Sequence, residues 1–273
     1  MKTLLTRSIS GLIFVALVVL SLLLEHDFFL GFCALIVGIS MSEFHRLFTA
    51  KTIRLAELIT VLFGLSCYFI ISIPISLNSG YNENSIFLLV VVITLYVMVQ
   101  LLLYKSGVKK LLIMLSSLLY IVLPFVLALE IHVNDIGEFP MVLGVFILVW
   151  TNDTFAYLSG NLLGKHKLYE KVSPNKTWEG FSGGLLAAAV MGYLLNSYVY
   201  TGNQFESNFW LMAALLLAPA AVIGDLFESW LKRRMHVKDT GNIMPGHGGI
   251  LDRFDAMLFA IPVFYILLYL CDI

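Results

Sequence analysis

Residues 224–255 read GDLFESWLKRRMHVKDTGNIMPGHGGILDRFD, and this stretch decides how the chain is to be understood. Lys232, Arg233, Arg234, Lys238 and Arg253, two histidines and a series of carboxylates stand between two apolar segments. Nowhere else is charge so dense in this chain. Polar clusters set against the ends of membrane helices are costly, so a functional site is the default reading.

The surroundings are those of an integral membrane protein. Of 273 residues, 59% are hydrophobic and 13% charged, and the mean hydropathy is +0.90. A soluble domain is about half apolar and about a quarter charged. The net charge of -1 selects no partner, and no nucleic-acid binding is expected. Cys33, Cys67 and Cys271 sit in or beside apolar runs without metal-ligand spacing. At the N-terminus Lys2 and Arg7 flank an apolar run that reaches Leu24. That run is longer than a signal core and has no small-x-small site after it, so it reads as a retained first span.

A spanning helix needs about 20 mostly apolar residues. About nine such stretches occur, at roughly 5–24, 28–48, 56–78, 85–104, 111–131, 139–159, 180–200, 208–231 and 254–271. The expected fold is all-α, a polytopic membrane protein, because lipid-exposed backbone must satisfy its own hydrogen bonds. With the N-terminus in the cytoplasm and the C-terminus outside, all 17 Lys and Arg fall in cytoplasmic segments. The opposite loops carry Glu25, Asp27, Glu83, Glu130, Asp135, Glu138, Glu206 and Asp272. One membrane domain, 1–273, is expected, with N-terminal spans over 1–138 and catalytic spans and loops over 139–273. Glu43 and Glu57 fall near the cytoplasmic edge and read as interfacial charges that reach water.

Asp225 and Glu228 share a helix face, and Ser229 joins them at i+4. Asp225 is the deeper carboxylate and needs a partner or a metal. Lys232, Arg233 and Arg234 include at least one ordinary membrane anchor. The glycine-rich PGHGG turn at 245–249 allows backbone N–H groups to approach an anion. Asp252 and Asp255 open the last span. Asp255 alone is explained as a helix-start charge. Asp225 and Asp252 could supply oxygen ligands for Mg²⁺, with substrate phosphates completing the shell. His247 is either a proton carrier or phosphate donor, or a plain hydrogen-bonding loop residue. In the second polar region, 151–184, Asp153 lies at the inner end of a span. Ser173, Lys176 and Thr177 form a polar group fit for phosphates, with a capped helix start as the alternative. Glu179 precedes the next span.

The run from Ser229 to Asp255 resembles the signature of the bacterial phosphatidate cytidylyltransferases, or CDP-diacylglycerol synthases. The matching positions are Ser229, Leu231, Lys232, Arg233, Lys238, Asp239, Gly241, Pro245, His247, Gly248, Gly249, Asp252, Arg253 and Asp255. The preceding Gly224-Asp225-Leu226-x-Glu228 and the segment 173–180 also look like this family. The resemblance implies transfer of a cytidylyl group from CTP to phosphatidic acid, in the cell membrane, with the active site on the cytoplasmic face. It implies a catalytic set of Lys232, Arg233, Lys238, Asp239, His247 and Arg253. Substrate binding would involve Asp153, Ser173, Lys176, Glu179, Ser229, Gly248 and Gly249. Asp225, Asp252 and Asp255 would hold Mg²⁺, and the assembly would be a homodimer. Two other classes make different demands. A transporter would place its polar site near the midplane on broken helices, unlike this edge cluster. A related CTP-using enzyme for another lipid phosphate or alcohol differs only in substrate.

Overall fold

The computed structural model describes residues 2–48, 54–77, 83–103, 112–113, 115–135, 137, 139–200, 208–244 and 248–271. The chain divides into two compact units. One comprises Met1–Asn134 and Asp239–Arg253; the other comprises Asp135–Lys238 and Phe254–Ile273.

The first unit is built from α1 (Lys2–Leu23), α2 (His26–Phe48), α3 (Arg54–Ser76), α4 (Glu83–Leu103) and α5 (Leu115–Asn134). α5 opens with a π-helical segment at Leu118–Val122. It also contains the loop that follows residue 238, which ends in the short α9 (Leu251–Phe254). α2 and α3 pack through small and flexible groups. A Cβ on Gly64 would stand 2.8 Å from the Met41 thiomethyl carbon. Two polar side chains inside this bundle pair with neighbouring helices, as a low-dielectric setting favours. Thr60 Oγ1 lies 3.0 Å from His45 Nδ1, and the Tyr68 hydroxyl donates to the Leu30 carbonyl at 3.2 Å. Phe63 and Tyr96 stack with ring centroids 3.7 Å apart, joining α3 to α4.

The second unit holds α6 (Met141–Leu163), a hairpin of β1 (Lys167–Tyr169) and β2 (Ser173–Thr177), α7 (Trp178–Leu194), α8 (Phe209–Arg234) and α10 (Met257–Leu270). A π-helical segment, Leu195–Val199, extends α7. The strands are antiparallel, with Lys167 opposite Thr177 and Tyr169 opposite Ser173. α6 and α7 approach closely because glycine lines the contact. A Cβ on Gly180 would stand 2.7 Å from the Ala156 carbonyl oxygen, and one on Gly184 2.7 Å from that of Asn152. The core carries Trp210, fully buried and stacked on Tyr200 with centroids 4.2 Å apart. The Tyr200 hydroxyl donates to the Pro140 carbonyl at 2.9 Å. Leu162 and Leu186, by contrast, are 81% and 69% exposed, as expected where lipid is the solvent.

The all-helical, multi-pass class is as the sequence predicts, with one small hairpin added. Among the described residues, seven helices are long and apolar enough to cross a membrane. The stretches predicted at 5–24 and 85–104 form α1 and α4, whose described apolar parts, Ser8–Leu23 and Ser85–Met98, are shorter.

Gly184→Val is expected to lower the stability of the detergent-solubilised protein by about 1–3 kcal/mol through overpacking. Leu186→Val, two residues away on an exposed face, should leave it nearly unchanged. Thermal melting followed by size-exclusion chromatography checks both.

Candidate active site

The second unit contains a cavity of about 630 Å³ between α6, the hairpin, α7 and α8. Asp153 and Tyr157 face it from α6, Asn175 and Lys176 from β2, and Asp225 from α8. The fold delivers each of these by a simple local rule. Asp153, Tyr157 and Gly160 recur at helical spacing, so one face of α6 forms a wall. The hairpin turns the chain back after α6, and Trp178 N–H donates to the His166 carbonyl at 2.9 Å to close it. Thr177 then caps α7, its hydroxyl oxygen accepting from Gly180 N–H at 3.1 Å.

At the centre of the cavity Lys176 Nζ lies 2.7 Å from Asp225 Oδ2. Ser229 donates to the other oxygen of Asp225 at 3.2 Å. Asn152 Nδ2 donates to Asp153 Oδ1 at 3.2 Å. Asp153, Asp225 and Asp255 are near enough to feel each other's charge. Gly224 lets α8 approach the backbone of Asp255: a Cβ on it would stand 2.5 Å from the Asp255 carbonyl oxygen. One turn further along α8, Lys232 donates to Glu228 Oε2 at 3.2 Å, and Glu228 is wholly buried. Arg233 Nε points toward the Val172 carbonyl at 3.5 Å.

These oxygens are hard donors suited to Mg²⁺, which is normally held by one or two carboxylates plus water and substrate phosphates. Among the described residues no group of three His, Cys, Asp or Glu could enclose an ion by itself. A pair drawn from Asp153, Asp225 and Asp255 fits the usual Mg²⁺ arrangement; a closed protein cage does not.

The remaining residues singled out in the sequence fall in other settings. Glu179 binds the hairpin, with Oε1 2.6 Å from His166 Nδ1 and Oε2 accepting from Lys165 N–H at 3.1 Å. Ser173 starts β2 and is half-buried. Lys238 and Asp239 are exposed. In the first unit, Asp252 is buried and its Oδ2 accepts from Thr240 N–H at 3.0 Å and Gly249 N–H at 2.8 Å. Gly248 has φ 91, a left-handed value that suits glycine. Arg253 follows in α9. Pro245, Gly246 and His247 lie outside the described residues.

One carboxylate outside the cavity differs from its sequence expectation. Glu43 is not an interfacial charge reaching water: it is 2% exposed, and its carboxylate meets the loop before α9. Its partners lie some two hundred positions away in the chain, a pairing that no local pattern discloses. Tyr157 and Asn175 were also passed over, since a lone aromatic or amide beside a membrane helix carries no distinctive spacing.

Residues 5–271 match the model of the cytidylyltransferase family, and the chain belongs to that family. It is similar to proteins named phosphatidate cytidylyltransferase from Staphylococcus haemolyticus, Staphylococcus epidermidis and Staphylococcus aureus. Each is 46% identical over 129 residues, which is 46% of this chain and 48% of the relative. The chain thus spans about half the length of the curated relatives it matches.

Thr177→Ala removes the α7 cap and should cost about 1 kcal/mol of stability. Thr177→Ser, which keeps the oxygen, should cost less. Chemical or thermal unfolding in detergent compares the two, and equal losses would show that the cap contributes nothing.

Proposed function

We propose that this chain transfers a cytidylyl group from CTP to phosphatidic acid, yielding CDP-diacylglycerol and pyrophosphate. The observation that carries the reading is the Lys176–Asp225 ion pair inside a cavity lined by a second carboxylate, Asp153. A nucleoside triphosphate needs both signs of charge: cations against phosphate oxygens, and carboxylates to hold the counter-ion. The family membership and the names of the relatives agree with this chemistry.

In the proposed step an ionised phosphatidate oxygen attacks the α-phosphorus of CTP. The bond from that phosphorus to the bridging oxygen breaks, and pyrophosphate leaves with the electron pair. The nucleophile is already deprotonated, so the protein's work is positioning and charge neutralisation. Lys176, reaching Asp225 of α8 from β2, would meet a phosphate in the cavity. Lys232, Arg233, Lys238 and Arg253 add positive charge along the signature. Ser229 orients the Asp225 carboxylate through its hydrogen bond. Mg²⁺, when bound, would neutralise and orient the triphosphate, with Asp225 and either Asp153 or Asp255 as its protein ligands. Asp252 was paired with Asp225 for this role on sequence grounds; its bonds to Thr240 and Gly249 favour loop organisation instead.

On the nine-span topology read from the sequence, every Lys and Arg falls on one side, which supports a cell-membrane protein with this site at the cytoplasmic face, where CTP is found. As an assembly we propose a homodimer, supported by the resemblance alone.

Detergent-purified protein given phosphatidic acid and CTP should release pyrophosphate only with Mg²⁺ present. Asp225→Asn should slow this by at least about 100-fold, the scale for losing one preorganised electrostatic group. Release with a different lipid phosphate only would retain the chemistry and replace the substrate. No release with any lipid, from protein shown to be folded, would overturn the reading and favour transport.

A further inference from the structure

We propose that Glu43, on α2, is a positioning residue for the signature loop: its buried carboxylate, together with that of Asp252, holds the loop backbone in the shape that presents Arg253. The proposal rests on the reading of this chain as a cytidylyltransferase.

Glu43 sits within an apolar helix, where an isolated carboxylate is costly. It is accommodated because three donors converge on it. Oε1 accepts from Ile250 N–H at 3.1 Å. Oε2 accepts from Leu251 N–H at 2.8 Å and from the Thr240 hydroxyl at 3.3 Å. An ionised carboxylate accepts at both oxygens and donates at neither, which matches this set of donors.

The glycines of the loop are shaped around the same group. A Cβ on Gly249 would stand 2.6 Å from Oε2 and 2.7 Å from Oε1 of Glu43. A Cβ on Gly241 would collide with Oε1. Only a residue without a side chain lets the backbone lie against the carboxylate at both places. Gly249 therefore has a reason to be glycine that does not involve a substrate.

Asp252 shares the donors' backbone. Thr240 gives its hydroxyl to Glu43 and its N–H to Asp252. Gly249 gives its N–H to Asp252 while its Cα lies against Glu43. Ile250 and Leu251 complete the turn between Gly249 and Asp252. A displacement of Glu43 is thus passed to Asp252 through two residues that both carboxylates touch. The arrangement has the form of an outer-shell partner: two internal carboxylates fix the backbone that carries Arg253, and neither needs to meet the substrate.

The most informative variant is Glu43→Gln, which keeps size and removes one acceptor. With its nitrogen at the Oε1 position it confronts Ile250 N–H; at the Oε2 position it confronts Leu251 N–H. Either way one buried backbone donor faces another donor. In the full-length protein, Glu43→Gln is expected to lower kcat for pyrophosphate release by about 10–100-fold, the usual range for outer-shell partners. The KM for CTP should change little. Glu43→Asp, which keeps two acceptor oxygens, should recover part of the lost kcat. Hydrogen–deuterium exchange should show faster uptake in Glu43→Gln at peptides covering residues 240 and 249–251, with the rest of the chain unchanged.

A folded Glu43→Gln protein with wild-type kcat would overturn the proposal. So would a loss of activity that only tracks a loss of folded protein by size-exclusion and thermal melting, or a Glu43→Asp protein no better than Glu43→Gln. Wild-type protein that releases no pyrophosphate would instead sink the cytidylyl-transfer reading. Exchange at 249–251 unaffected by Glu43→Gln would sink the hold on the loop whatever the activity, so the two failures are read separately.

Discussion

A carboxylate in a protein solvated by lipid must find its counterpart within the chain, and this constraint shapes both units. Water is not at hand to relieve an unpaired charge, so each buried acid is matched by a cation or by several N–H and O–H donors. The second unit uses cations: Lys232 on the buried Glu228, and Lys176 on the partly exposed Asp225. The first unit uses backbone and hydroxyl donors: Glu43 and Asp252 together take the N–H groups of Thr240, Gly249, Ile250 and Leu251 and the hydroxyl of Thr240. The two solutions have different consequences. A lysine on a long flexible stem can exchange its carboxylate for a phosphate. A backbone amide committed to a carboxylate is part of the frame.

Glycine serves the same constraint by allowing close approach. Gly180 and Gly184 let α6 and α7 touch through backbone, which sets the wall of the cavity. Gly224 brings α8 against the Asp255 carbonyl and so places two carboxylates near one another. Gly241 and Gly249 make room for the Glu43 carboxylate. In each case the missing side chain is what allows a polar group to sit where it is needed.

The apolar spans were legible because lipid imposes a length and a composition that short windows of sequence display. Asp225, Asp153 and Lys176 were legible because charge beside an apolar helix is conspicuous. The hairpin at 167–177 was not, since its strands are too short for alternation to register. Glu43 was misread for a different reason. A glutamate near a helix end has the same local sequence whether it snorkels to water or turns inward. What decides is a loop some two hundred residues later, and only the three-dimensional structure brings that loop to it. Asp252 shows the complementary limit: its place in the signature marked it as important without saying whether it serves an ion or its own loop.

The bonds of Asp252 and Glu43 constrain how the signature loop could meet a phosphate. A glycine-rich turn beside cations suggests backbone N–H groups cradling an anion. Here the amides of Thr240, Gly249, Ile250 and Leu251 already serve two internal anions, the carboxylates of Asp252 and Glu43. A phosphate offered to those four amides would have to displace a buried carboxylate, leaving a charge without a partner in a low-dielectric setting. On the proposed function, phosphate recognition in this region would rest on side-chain cations and not on these four amides. The glycines act one step earlier, by allowing the Glu43 and Asp252 carboxylates to lie against the loop backbone.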